Sequence, residues 1–113
     1  MDSPAVVNAL SALAQEHRLA LFRLLVQAGE QGMSAGEIAD ALGIPNSSSS
    51  FHLAALTKAG LIRKERHSRW LIYSADYTAM NALVGYLMEN CRGGAECSTS
   101  AREAEAGQER KRA

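Results

Sequence analysis

Residues 34–61 read SAGEIADALGIPNSSSSFHLAALTKAGL, and this stretch decides the fold. Ser34 followed three residues later by Glu37 is a capping box, the signature of a helix start. Ile38, Ala39 and Leu42 form an apolar stripe behind it, and Gly43 is a helix stop. Ile44-Pro45 turns a tight corner. A second helix follows, with Leu53 and Leu56 at i, i+3 and Gly60 as its stop. Two short helices joined by a glycine-containing turn predict a helix-turn-helix.

Before this motif, Val6, Leu10 and Leu13, and then Leu19, Leu21, Phe22, Leu24, Leu25 and Val26, recur at helical spacing. They predict helices over about 4–14 and 16–28, stopped by Gly29 and Gly32. After the motif the period changes. LIRKERHSRWLIYSAD, residues 61–76, predicts two strands, about 61–66 and 69–74, turning at His67-Ser68. A lone hairpin is unstable, so it must lean on the helices. The last helix, 76–90, starts at Asp76 and carries Met80, Leu83, Val84, Leu87 and Met88 on one face. The fold class is therefore mainly α (α+β): a winged helix-turn-helix with a two-stranded wing and about five helices. Residues 1–92 read as the DNA-binding and dimerisation domain, and residues 93–113, which include Cys97, as a flexible tail poor in large apolar side chains.

The bulk numbers narrow the function classes. The chain has 113 residues, with Lys plus Arg equal to Asp plus Glu at 12 each, so any electrostatic footprint must come from local clustering. No apolar run approaches the ~20 residues of a membrane span, and the acidic start lacks a signal-peptide basic region. A cytoplasmic protein with reduced cysteines is expected. No Ser-His-Asp set, phosphate loop or carboxylate cluster is present, and His17, His52 and His67 fall in three separate elements, so no enzyme is expected. The apolar first and last helices exceed what one small core requires and predict pairing in a symmetric homodimer.

The second helix of the motif opens with Asn46, Ser47, Ser48, Ser49 and Ser50. Serines are poor helix formers. Here they stand where a recognition helix meets phosphates and base edges in the major groove. The bland reading is a solubilising cap. His52 reads equally as a contact to the DNA backbone or as a structural histidine beside Leu53. Lys58 and the wing residues Arg63, Lys64, Arg66, His67 and Arg69, set against Glu65, make a basic patch that would bind phosphate without reading sequence. The bland reading is a solvated turn. Trp70 reads as a packing residue. The expected DNA-binding set is thus Asn46, Ser47, Ser48, Ser49, Ser50, His52, Lys58, Arg63, Arg66 and Arg69. A helix-turn-helix used only for protein interaction is the rival from another class.

With these residues in view, the chain resembles the ArsR/SmtB family of winged-helix repressors over about residues 5–92. The specific stretch is Ser50-Phe51-His52-Leu53 followed by Leu56-Thr57-Lys58-Ala59-Gly60-Leu61. The resemblance implies a homodimer on an imperfect inverted repeat of double-stranded promoter DNA, released by an inducer. The family's Cys-x-Cys site is absent, since Ser34–Ile38 holds no cysteine. The zinc site of the last helix is absent too, for no histidine follows residue 67. Glu89-Asn90-Cys91 and Gly93-Gly94 are similar to an arsenic-responsive subgroup, with Arg92 in place of that subgroup's second cysteine and Cys97 near its downstream one. This implies Cys91 and Cys97 as thiolate ligands for arsenite, methylarsenite or antimonite, soft ions that favour sulfur. A reversible Cys91–Cys97 disulfide, or a pair of unused thiols, are the alternatives.

Overall fold

The computed structural model describes residues 1–91. Contacts group Met1–Leu83 into one compact unit, and Val84–Cys91 is described by itself. Helix α1 (Ser3–Leu13) is capped by Asp2, whose carboxylate accepts from the Ala5 N–H at 3.0 Å. Helix α2 (Glu16–Ala28) starts on Gln15, whose side-chain oxygen accepts from the Arg18 N–H at 2.9 Å. These spans match the spacing-based expectation to within a residue.

A two-residue strand, β1 (Met33–Ser34), precedes helix α3 (Ala35–Leu42) and is absent from the sequence-based reading. It pairs antiparallel with β3 (Trp70–Ala75), Met33 opposite Tyr73. Gly32 makes this approach possible. Its φ is +66°, and a Cβ there would strike the Tyr73 carbonyl oxygen. Helix α4 (Asn46–Lys58) completes the helix-turn-helix. Strand β2 (Ile62–His67) then runs antiparallel to β3, giving the sheet order β1-β3-β2. The hairpin turns at Ser68-Arg69, one residue later than expected, with Ser68 at φ 61° and His67 opposite Trp70.

The core gathers Leu21 and Leu25 of α2, Ile38 of α3, Leu53 and Leu56 of α4, and Leu61, all fully buried. Burying each such leucine contributes roughly 1.5–3 kcal/mol. Helix α5 (Tyr77–Leu87) starts on Asp76, which accepts from the Ala79 N–H at 3.0 Å. The Tyr77 hydroxyl donates to the Val26 carbonyl at 2.9 Å and ties this start to the end of α2. α5 ends at Leu87, three residues short of expectation. The Cys91 N–H then donates to the Met88 carbonyl at 3.0 Å, with Asn90 left-handed at φ 58°. The expected tail, 93–113, lies outside the described residues.

Candidate nucleic-acid interface

Leu53 and Leu56 lock the rotation of α4, because both must face the core. At roughly 100° per residue, Ser49 and His52 then fall on the buried side. Ser49 is only 1% exposed and His52 8%. The opposite arc carries Ser47, Ser50, Phe51, Ala54 and Lys58, all exposed, with exposed Asn46 at its start and Ser48 half-buried at its edge. The expected run of five polar residues is therefore divided. Ser49 and His52 face inward, away from the arc that the rest of the expected α4 set occupies. Phe51 and Ala54, which the sequence reading passed over, join the outward arc. The signal was present in the period, since positions 47, 51, 54 and 58 share a face whatever their polarity.

The inward residues remain chemically distinctive. Among the described residues, Ser49 Oγ, His52 Nδ1 and Arg18 Nε are buried with no hydrogen-bond partner. The His52 ring stacks on His17 with centroids 5.8 Å apart and 27° between planes. Burial, then the charges of Arg18 and His17, hold the His52 pKa below its ordinary 6.5.

α4 begins on Pro45, and no side chain caps it. Its first-turn N–H groups and the positive end of its dipole are thus left open on the outward surface, an arrangement that suits a phosphate.

The wing sorts its charges by the alternation of a strand. Arg63, Glu65 and His67 share one face, where His67 Nε2 lies 3.3 Å from Glu65 Oε1. Arg63 also borders a recess of about 350 Å³ with the carboxylates of Glu30, Glu65 and Asp76. Lys64 and Arg66 share the other face, and Arg69 stands at the turn. All three are exposed and form no ion pair among the described residues. Arg63 is exposed as well, but it borders the carboxylate-lined recess, whereas Lys64, Arg66 and Arg69 do not. Trp70 is 60% exposed beside that turn and does not pack into the core, contrary to the sequence-based reading.

Cys91 is partly buried, past the end of α5. Cys97, the other expected ligand, lies outside the described residues, as do Arg92, Gly93 and Gly94. No helix among the described residues is long and apolar enough to cross a membrane.

Comparison with known proteins agrees with this geometry. A helix-turn-helix domain family matches residues 13–65. The chain is 35% identical over 74 residues to the HTH-type transcriptional regulator YgaV of Escherichia coli, covering 66% of this chain and 75% of that one. It is 38% identical over 69 residues to a putative arsenical resistance operon repressor, ArsR, of Halobacterium salinarum, covering 61% of this chain and 53% of the relative. The solved structure of reduced HlyU from Vibrio cholerae superposes with a TM-score of 0.62 at 28% identity, covering 80% of this chain and 92% of that one. With the winged helix-turn-helix in place, the chain belongs to the ArsR family of DNA-binding transcriptional regulators.

Proposed function

We propose that the protein is a homodimeric repressor that holds promoter DNA at an imperfect inverted repeat and releases it when a trivalent metalloid binds Cys91 and Cys97. The observation that carries the DNA half is the uncapped start of α4, with its polar outward arc, alongside the exposed cations Lys64, Arg66 and Arg69, which form no ion pair among the described residues. Asn46, Ser47 and Ser50 then supply hydrogen bonds to base edges and phosphates, and Arg66 and Arg69 grip the backbone. Two copies are supported by exposed Val7 and Leu10 on α1 and by exposed Tyr86 and Leu87 at the end of α5.

The inducer half rests on donor chemistry. Two thiolates suit methylarsenite by count, since its carbon occupies the third position. Arsenite or antimonite would take a third ligand from water, a small thiol or the other protomer. Ligation of Cys91 would act on the end of α5 and so on the spacing of the two recognition helices. A coupling of about 1–3 kcal/mol is enough for a useful switch. The likeness to reduced HlyU favours a second reading, in which an oxidant converts the two thiols to a disulfide with loss of two electrons and two protons.

The test is fluorescence anisotropy of the reduced full chain on the DNA upstream of its own coding region. Arsenite, methylarsenite, antimonite, zinc and a mild oxidant are added in turn. Release by a trivalent metalloid, lost in both Cys91→Ser and Cys97→Ser, is the expected result. Release by oxidant alone makes the protein a redox switch, and indifference to every addition sinks both. In the same assay the Arg66→Ala, Arg69→Ala double variant should lower the salt slope of log affinity by about 2. Arg63→Ala should lower it less, because Glu30, Glu65 and Asp76 line the same recess as Arg63. An unchanged slope in the double variant would remove the wing from the interface.

A further inference from the structure

One side chain on the outward arc of α4 has no part in the hydrogen-bonding scheme. Phe51 is 66% exposed, the most exposed large apolar side chain among the described residues. Its ring is nevertheless held. The Arg18 guanidinium lies 5.9 Å from the ring centroid, and the His52 ring meets it edge-on at 5.7 Å. His52 is in turn stacked on His17, so the phenyl group is braced by the start of α2 through two routes. Ala54, three residues on, presents a methyl group beside it on the same face. Around this pair stand Ser47, Ser50 and Lys58, all polar and exposed.

We propose that Phe51 is a specificity-determining residue that reads the 5-methyl group of a thymine in each operator half-site. The inference rests on the reading that α4 enters the major groove. The thymine methyl is the one apolar group that the major-groove edges of the bases present, and a phenyl ring has nothing to offer the donors and acceptors around it. The apolar surface of Phe51 and Ala54 is small and ringed by hydroxyls and an ammonium group. That is the scale of a single-methyl contact, whereas a protein partner requires a broader apolar centre. The bracing by Arg18 and His52 fixes the ring before DNA arrives, so less side-chain freedom is lost on contact. His52 thereby acts through Phe51 from the buried side.

The experiment starts from a duplex selected by the wild-type full chain out of a randomised pool. Each thymine is then replaced singly by deoxyuridine, which removes the methyl group and leaves base pairing and the O4 acceptor intact. One position per half-site should lose about fourfold in affinity, the weight of one buried methyl. Phe51→Ala should bind the thymine duplex more weakly and no longer distinguish thymine from uracil at that position. Circular dichroism should show an unchanged fold, because the side chain is exposed. If uracil is tolerated at every position, or if Phe51→Ala keeps the uracil sensitivity, the inference is overturned while DNA binding stands. If the wild-type chain enriches no sequence, the groove reading itself fails and this assignment fails with it.

Discussion

α3 and α4 follow one another in the motif, and both begin with short polar side chains, yet their starts are built differently. At α3 the Ser34 hydroxyl accepts from the Glu37 N–H at 3.2 Å, and Glu37 Oε1 accepts from the Ser34 N–H at 2.9 Å. Two backbone donors at this end are met within four residues of chain. At α4 the cap is Pro45, and four serines supply no capping hydrogen bond. α3 stabilises its own start, whereas α4 depends on the packing of its inner face and has no side-chain cap at its start. The difference teaches that polar residues at a helix start carry two separate meanings, and only the hydrogen-bond geometry tells them apart.

If α4 relies on its inner face, removing that face should be the most damaging change. Leu56 is fully buried and belongs to the core shared with α2 and α3. Leu56→Ala should cost about 2–5 kcal/mol in urea unfolding, from lost transfer energy plus the cavity left behind. A loss well under 1 kcal/mol would mean that α4 is anchored elsewhere, and the comparison between the helices would collapse.

The cap of α3 gives the next effect in size. Ser34→Ala removes a local acceptor and should cost about 1 kcal/mol of stability. Under conditions where the variant stays folded, its DNA affinity should equal that of the wild type, since α3 presents none of the proposed contacts. A stability loss with weakened DNA binding on the folded variant would show that the two helix starts are not separable.

Much of this division was legible in the sequence, and the parts that were not have physical causes. The capping box at Ser34 and Glu37 was readable because both partners lie within one turn. The hairpin was readable from its change of period. β1 was not, because a two-residue strand is defined by its distant partner Tyr73 and not by its own composition. The rotation of α4 was contained in the spacing of Leu53 and Leu56. A reading that follows polarity sends Ser49 and His52 outward, whereas a reading that follows phase sends them inward. The expected set on α4 is thus divided between two faces, with Ser49 and His52 buried, and the exposed Phe51 lay outside that set. For the thiol pair, the sequence supplied the candidates, and the described residues reach only Cys91.

The smallest effect belongs to His52, and it probes the inner face of α4 by titration instead of truncation. Burial, then Arg18 and His17, lower its pKa from 6.5, so the folded state disfavours the charged ring. Above pH 6.5 the ring is neutral in both folded and unfolded chains, and its contribution to stability does not vary. As pH falls below 6.5, the unfolded chain binds a proton that the folded chain resists, so stability drops. The drop levels off once the pH passes the lower folded-state pKa. Urea midpoints measured from above pH 6.5 downward should therefore decline as the pH falls below 6.5. His52→Gln should flatten this limb. Parallel curves for wild type and His52→Gln would mean that α4 admits water around this ring. The bracing of Phe51 through His52 would then be looser than the contact distances imply.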